Sequence, residues 1–276
     1  MYSSSPEAQP RAPVTVPELQ KMKREGRRIV CVTAYDASFA RVMDRAGVDV
    51  VLVGDSLGMV VQGHASTVPV NLRDVCYHSA AVARGLKATL LMTDLPFQTY
   101  ASPAQAHASA TLMMAEGGAS MVKLEGAGVI LDSIRYLAER DIPVCAHLGL
   151  TPQSVTQLGG FKVQGRDASA AERLRRQAQE VQDAGASMLV LECIPAGLAG
   201  EITRMLSIPT IGIGAGPHCD GQVLVMHDLL GLAGRSRRPR FVKDFLQGRD
   251  SVEEAFKAYA SEVRDGRFPA QEHVYE

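Results

Sequence analysis

A repeat of short apolar runs, rich in β-branched residues, constrains this chain more than any other feature. Runs of this length and composition are typical of strands that are buried on both faces of a parallel sheet. Segments with helical periodicity lie between most of them. The chain contains eight such runs, at residues 29–35, 48–54, 88–95, 120–126, 143–149, 187–193, 208–214 and 222–227.

Eight is the number of strands that closes a parallel (β/α) barrel. The same local pattern would also build a doubly wound open sheet. None of the runs has the character of an edge strand, and Lys123 is the one lysine that interrupts a run, which favours closure. We therefore predict an α/β fold, a (β/α)8 TIM barrel that forms a single domain over residues 15–276.

The two ends of the chain lie outside the repeat. Residues 1–14 have no apolar core and are predicted to be a flexible tail. The sequence Thr15-Val-Pro-Glu18 combines a capping Thr, an early Pro and a Glu three residues after the cap, which predicts a helix that caps one end of the barrel. Residues 251–265 predict an extra outer helix at the C-terminus. The polar, Gly-rich segment 151–168 is too long for an ordinary connection and predicts a binding flap.

Composition narrows the class of partner. The chain has 276 residues and a formal net charge of −1, which argues against nucleic acid or an anionic membrane surface as the main partner. No apolar run reaches eighteen residues, so no membrane span is predicted. Five cysteines stand far apart with no CxxC pair, which favours reduced, buried thiols over a structural zinc. We expect a cytoplasmic protein that binds a small molecule.

Acidic residues recur where the apolar runs end. Asp55, Asp94, Glu125 and Glu192 occupy such positions, and in a parallel barrel all strand ends open onto the face that holds the active site. A helix cap or an Arg partner would explain one such acid, but neither explains why acids recur at the ends of four runs. Four converging carboxylates repel one another unless a cation neutralises them, which predicts Mg²⁺ or Mn²⁺. Because Mg²⁺ takes only one or two carboxylates directly, one acid is left for proton transfer.

Two further residues near these ends leave alternatives open. Lys123 and Glu125 are two positions apart on one strand, so both side chains point to the same side. Lys123 is either half of a buried Lys–Glu pair or an ammonium that binds an anionic substrate. His147 is at least as easily a core residue as a catalyst. The run at 235–240, RSRRPR, is most simply a solvated connection.

Several segments resemble one enzyme family. They are GDSLGMVVQG (54–63), MTDLPF (92–97), VKLEG (122–126), HLGLTPQ (147–153), LECIPA (191–196) and IGIGAGPHCDGQVLVMHDLLG (211–231). In these segments the chain resembles the ketopantoate hydroxymethyltransferase family, from about Thr15 to about Ala260.

The resemblance implies an activity, a cofactor and an assembly. The family transfers a hydroxymethyl group from 5,10-methylenetetrahydrofolate to 3-methyl-2-oxobutanoate through a Mg²⁺-stabilised enolate, which gives 2-dehydropantoate in pantothenate biosynthesis. The resemblance also implies a homo-oligomer, often a decamer. Its metal ligands correspond to Asp55, Asp94 and Glu125, its groups that bind the keto acid to Asp55, Ser56, Asp94 and Lys123, and its catalytic base to Glu192.

Two alternatives to this activity remain. A Mg²⁺-dependent lyase or mutase acting on 2-oxo acids would need the same strand-end acids. A barrel that only binds a small anion would not need Glu192 as an unliganded carboxylate beside a metal.

Overall fold

The chain forms a closed barrel of eight parallel strands, which confirms the predicted fold. A computed structural model describes residues 11–232 and 238–276. Each strand pairs with the next along the chain, and β8 returns to β1. The strands are β1 (Ile29–Thr33), β2 (Val50–Val53), β3 (Leu90–Asp94), β4 (Met121–Glu125), β5 (Val144–Gly149), β6 (Met188–Glu192), β7 (Thr210–Ile213) and β8 (Gly221–Leu224).

Helices surround the barrel and cap one end. The described α-helices are α1 (Val16–Arg24), α2 (Ala37–Arg45), α3 (Leu57–Val60), α4 (Leu72–Ala83), α5 (Pro103–Ala115), α6 (Ile130–Ala138), α7 (Val155–Leu158), α8 (Ala168–Asp183), α9 (Ala196–Met205), α10 (Met226–Leu229) and α11 (Val252–Arg264). Two 3₁₀ turns, Pro152–Ser154 and Gln271–His273, complete the set. None of these described helices is both long and apolar enough to cross a membrane.

Short polar side chains begin the helices where the sequence predicts. Thr15 accepts a hydrogen bond from the backbone N–H of Glu18 at the start of α1. The Asp36 carboxylate accepts two backbone N–H bonds at the start of α2, and Asn71 forms a reciprocal capping box with Asp74 at α4. Each cap satisfies N–H groups that have no partner inside the helix, so it fixes the helix start.

Alternate strand residues divide the core into an inner and an outer layer. The inward set includes Cys31, Leu52, Met92 and Val190, and Leu19 and Met22 of α1 close its lower end. The outward set packs under the helices. Because strand side chains alternate, the strand positions that share parity with these inward residues include Asp94, Lys123, Glu125, His147 and Glu192.

The structure adds detail to the predicted outline in three places. Strand β8 follows β7 with no helix between them. In the predicted tail, Arg11 donates hydrogen bonds to Asp49 (3.2 Å) and to Thr89 (3.0 Å), so it belongs to the barrel surface. The segment 151–168, which is predicted to be a binding flap, contains the 3₁₀ turn Pro152–Ser154 and α7. Residues 1–10 of the tail and 235–237 of the basic run lie outside the described residues.

The cysteines are placed as the composition suggests. All five are free and buried: Cys31, Cys76, Cys145, Cys193 and Cys219. Burial raises the pKa of the Cys145 thiol to about 12, with a further rise from Asp94 and a lowering from Lys123. Such thiols are protonated and act as small apolar groups in the core.

Candidate active site

A cavity of about 740 Å³ opens at the C-terminal ends of the strands. This volume lies in the range of roughly 300–1,000 Å³ that encloses ligands much larger than a five-carbon acid. Every site residue predicted from the sequence lines it: Asp55, Ser56, Asp94, Lys123, Glu125 and Glu192, together with His147. The repeat of acids at strand ends therefore marks one shared site.

Strand register sets which of these side chains meet. Asp94 of β3 is the Cα partner of Lys123 on β4, and Glu125 of β4 is the partner of His147 on β5. Glu192 lies opposite Gly149 at the end of β5. Gly149 has no side chain, so the neighbour of Glu192 on β5 is His147, which lies two positions earlier on that strand.

Lys123 pairs with Asp94, not with its strand neighbour Glu125. Its Nζ atom lies 2.6 Å from Asp94 Oδ1, and both side chains are about 5% exposed or less. Burial lowers the pKa of Lys123, but the carboxylates of Asp94, Glu125 and Asp55 outweigh it and raise the pKa above its ordinary value. Lys123 is therefore a permanent cation in the centre of the acids, and the Lys–Glu pair considered from the sequence is replaced by a Lys–Asp pair.

Asp55 is the acid of the site whose negative charge is stabilised least by its surroundings. Its backbone N–H donates to Asp94 Oδ2 at 3.0 Å, which holds the Asp94 carboxylate against the backbone at the end of β2. Burial raises the pKa of Asp55 well above its usual range, and the charges of Asp94 and Glu125 raise it further. A cation at this position would remove that penalty, because it would favour the ionised form.

His147 lies between two carboxylates. Its Nδ1 atom is 3.3 Å from Glu125 Oε1, and its Nε2 atom is 3.2 Å from Glu192 Oε2. Burial and Lys123 lower the pKa of His147, but the flanking carboxylates outweigh them and raise it to about 9. Burial raises the pKa of Glu125, and His147 with Lys123 lowers it more, so the net direction is downward. His147 belongs to the site and not to a passive core.

Ser56 follows Asp55 at the cavity wall. Its Oγ atom lies 2.9 Å from the hydroxyl oxygen of Tyr35, which fixes the side chain toward β1. Burial raises the pKa of Tyr35, so this hydroxyl stays protonated. The Ser56 hydroxyl lines the cavity and is available to a polar ligand next to the Asp55 carboxylate.

Sequence reasoning missed two residues of the site, Gln153 and Tyr100. Gln153 donates from Nε2 to Asp55 Oδ2 at 2.8 Å, and its backbone N–H donates to Glu125 Oε2 at 3.0 Å. Tyr100 donates to Gln153 Oε1 at 2.6 Å. A Gln in a polar loop carries no periodic signal, so only the HLGLTPQ motif directly after β5 pointed toward this position.

The donor set suits a hard cation with an open coordination sphere. The site offers carboxylate oxygens, which magnesium prefers. Within residues 11–232 and 238–276, no three His, Cys, Asp or Glu side chains converge to hold a metal by themselves. Mg²⁺ is commonly bound by one or two carboxylates and completed by water and substrate, so Asp55 and Asp94 together fit such a site.

Residues 13–271 match the model of the ketopantoate hydroxymethyltransferase family. The chain belongs to this family. This confirms the resemblance drawn from the sequence, and with it the prediction of an enzyme. The chain is 63% identical over 263 residues to 3-methyl-2-oxobutanoate hydroxymethyltransferase of Xanthomonas euvesicatoria pv. vesicatoria, a match that covers 95% of this chain and 96% of the relative. It is 62% identical, with the same coverage, to the enzyme of that name from Xanthomonas axonopodis pv. citri.

Solved structures with the same fold are much more distant in sequence. A putative phosphonomutase from Burkholderia cenocepacia superposes with a TM-score of 0.64 at 14% identity, over 79% of this chain and 94% of that one. Phosphonopyruvate hydrolase in complex with oxalate and Mg²⁺ gives a TM-score of 0.61 at 14% identity, over 93% of this chain and 99% of that one. At this identity the likeness establishes the barrel fold alone.

Proposed function

We propose that the chain transfers a hydroxymethyl group from 5,10-methylenetetrahydrofolate to 3-methyl-2-oxobutanoate. Water supplies the hydroxyl oxygen, and the products are 2-dehydropantoate and tetrahydrofolate, an early step of pantothenate biosynthesis in the cytoplasm. One observation carries the proposal: Asp55, Asp94, Lys123 and Glu192 face one cavity at the mouth of the barrel. Membership of the family and the names of the relatives support the same reaction.

The proposed metal site consists of Asp55 and Asp94, with Glu125 as the third carboxylate. Both carboxylates line the same cavity, and the 3.0 Å bond from the Asp55 N–H to Asp94 Oδ2 holds Asp94 beside the Asp55 backbone. Glu125 reaches the site through Gln153 and His147, so in the proposal it adds charge more than a direct bond. Bound Mg²⁺ would act as a Lewis acid on the oxygens of the keto acid and make its C3–H more acidic.

The keto acid is expected to bind between Ser56 and Lys123. Lys123 Nζ is a buried cation at this end of the cavity, and Asp94 fixes its position. An ammonium held in a buried site attracts a carboxylate strongly because little water screens it. The Ser56 hydroxyl, oriented by Tyr35, is a donor for a second substrate oxygen. Asp55 and Asp94 complete this substrate-binding group.

Glu192 is the proposed catalytic base. Its side chain is 15% exposed, compared with 5% for Glu125 and 4% for Asp94, so it is the acid most open to the cavity. Its contact is with His147, opposite Lys123 and Asp94. Glu192 would take the proton from C3, and the resulting enolate carbon would form the new bond to the one-carbon unit.

The outer part of the cavity is the proposed folate site. Phe161 and Lys162 line it from the loop before α8, and Phe241 and Tyr275 line it from the C-terminal region. The rings of Phe241 and Tyr275 lie 6.5 Å apart, edge to face. Aromatic walls suit a flat bicyclic ring, and Lys162 suits an anionic tail.

The decisive assay measures tetrahydrofolate and 2-dehydropantoate together. The purified chain, with Mg²⁺ and both substrates, should form the two products in equal amounts, and EDTA should stop their formation. A lyase or mutase would consume the keto acid without folate. Absence of folate-dependent product, with Mg²⁺ present and the chain folded, would contradict the proposal. Size-exclusion chromatography with light scattering tests the expected homo-oligomer, which family resemblance suggests is a decamer.

A further inference from the structure

Gln153 is a buried amide that touches three different walls of the active site. It lies in the 3₁₀ turn after β5 and is 7% exposed. Its Nε2 atom donates to Asp55 Oδ2 at 2.8 Å and to the Leu95 carbonyl at 3.1 Å, and its backbone N–H donates to Glu125 Oε2 at 3.0 Å. One residue therefore joins the ends of β2, β3 and β4 to the loop that follows β5.

Tyr100 gives this amide a single orientation. The Tyr100 hydroxyl donates to Gln153 Oε1 at 2.6 Å and accepts from the Glu125 N–H at 3.4 Å. Both Nε2 hydrogens and the Oε1 atom of Gln153 then have hydrogen-bond partners. If the amide flipped, its oxygen would face the Asp55 carboxylate and the Leu95 carbonyl, and two acceptor pairs would be buried together. Such unsatisfied contacts cost more than the bonds themselves contribute.

The chemistry of an amide suits this position better than that of a charged group. Gln153 donates to one oxygen of Asp55 and to one of Glu125, and neither bond adds a positive charge that would compete with a bound cation. A hydrogen-bond donor fixed on Oδ2 also sets the direction of the other Asp55 oxygen. Groups that orient ligating carboxylates in this way typically change metal affinity or activity by roughly 10- to 100-fold when they are removed.

We propose that Gln153, oriented by Tyr100, is the positioning residue that aligns Asp55 and Glu125 for the metal and the keto acid. The inference rests on the proposed function for the identity of the metal. It goes further in making the start of the 151–158 loop part of the site, so that the site is complete only when this loop is docked. Gln153 acts through the two carboxylates and does not touch the reacting atoms.

The test measures Mg²⁺ affinity of the full chain by calorimetry without substrate. The variants are Gln153→Leu, Tyr100→Phe and the double variant. The matched controls are Gln157→Leu, an exposed Gln on α7 of the same loop, and Tyr77→Phe, a tyrosine that is 72% exposed. Thermal unfolding in EDTA reports the stability of each chain separately.

We expect Gln153→Leu to weaken Mg²⁺ binding about 10- to 100-fold. Tyr100→Phe should weaken it less, and the double variant should match Gln153→Leu, because residues that act through one another are not additive. Both controls should bind like wild type. Steady-state kinetics adds a second readout: Gln153→Leu should raise KM for the keto acid as well as lower kcat, because Asp55 belongs to the proposed substrate-binding group.

Three results would overturn the inference. Unchanged Mg²⁺ affinity in Gln153→Leu with reduced thermal stability would show that the residue is only a loop tether. Additive losses in the double variant would show that Tyr100 acts independently. If Gln153→Leu does not fold, the test relies on Tyr100→Phe, which removes one oxygen atom. Wild-type Mg²⁺ affinity in Tyr100→Phe would then contradict the inference. Failure of the wild-type chain itself to bind Mg²⁺ would instead contradict the proposed metal site, and the inference with it.

Discussion

His147 Nε2 lies 3.2 Å from Glu192 Oε2, on the opposite side of the imidazole from Glu125. His147 therefore links Glu192, the acid that is most open to the cavity, with Glu125, which is almost fully buried. Neither ring nitrogen makes a hydrogen bond of good geometry, so His147 acts on the two carboxylates through charge attraction, in keeping with its raised pKa of about 9. This attraction biases the direction of Glu192 at the mouth of the barrel.

Replacing His147 should therefore lower turnover without abolishing the base. In His147→Gln the carboxylate of Glu192 remains, but it loses its oriented partner, and we expect kcat to fall about 10- to 100-fold. Stopped assays of tetrahydrofolate release measure the change. His107→Gln on the outer helix α5 is the control and should retain wild-type turnover. Wild-type kcat in His147→Gln would show that the contact does not orient Glu192.

The buried Lys123–Asp94 pair should be sensitive to loss of one partner. Lys123→Met leaves Asp94 buried without its cation, and removal of one member of a buried pair typically costs about 3–5 kcal/mol of unfolding free energy. Denaturant unfolding in EDTA at pH 7 measures it. Arg45→Met, which breaks the exposed pair with Glu253, is the control and should cost under ~1 kcal/mol. Equal losses in the two variants would contradict the assigned burial.

Much of the barrel is predictable because its causes are local. Each strand is a mainly apolar run, and several helices begin at a capping side chain such as Asp36 or Asn71, so short windows of sequence carry both signals. The parity of Lys123 and Glu125 is equally local. All eight predicted strands form in the structure, with ends that differ by a few residues.

The site could be predicted only in part, because its contacts depend on register and on loop docking. The pairing of Asp94 with Lys123 follows from which residues of β3 and β4 are opposite, and no single strand encodes this. Gln153 reaches Asp55 across 98 positions of sequence. The strand-end acids were visible from the sequence because they repeat, whereas an amide that serves them once has no repeat to reveal it.

Asp44 should make stability depend on pH in the acid range. Burial raises the pKa of Asp44, but the N–H groups of Ala88 and Thr89 and the Thr89 hydroxyl lower it more, so the folded-state pKa lies below the ordinary value. A group of this kind stabilises the fold above its unfolded pKa of about 3.9, and this stabilisation is lost as the pH falls through the folded pKa.

The corresponding variant is Asp44→Asn. Because the carboxylate is partly solvated, we expect a loss of about 1 kcal/mol at pH 7, within the range for hydrogen bonds to a charged group after screening. The loss should shrink as the pH falls through the folded-state pKa of Asp44, because the wild-type carboxyl is then protonated too. Asp132→Asn, at an exposed carboxylate on α6, is the control. A loss that stays constant from pH 7 down to the lowest pH at which the wild-type chain remains folded would contradict the assignment.

The last residues of the chain lie at the cavity, beyond the segment matched by the family model. Tyr275 lines the outer part, and its carbonyl accepts from the Ala196 N–H at 3.1 Å at the start of α9. We expect Tyr275→Ala to raise KM for the folate about tenfold, in line with the loss of an aromatic contact of about 1 kcal/mol plus burial. Tyr275→Phe keeps the ring and should stay near wild type.

The proton-transfer step separates this effect from damage to the inner site. Exchange of the C3 proton of the keto acid with solvent does not require the folate, so it should proceed at the wild-type rate in Tyr275→Ala. Equal losses of exchange and of folate-dependent turnover would place Tyr275 in the inner site instead.

The central claim is that Glu192 removes the C3 proton, and the exchange reaction tests it most directly. Deuterium incorporation at C3 of 3-methyl-2-oxobutanoate in D₂O with Mg²⁺ can be followed by NMR for wild type, Glu192→Gln and the control Glu201→Gln, whose carboxylate pairs with Arg175 on the outer surface. We predict that Glu192→Gln slows exchange by about 10²- to 10⁴-fold, as expected for loss of a general base, while the control exchanges normally. Exchange at the wild-type rate in a folded, Mg²⁺-binding Glu192→Gln chain would contradict the account.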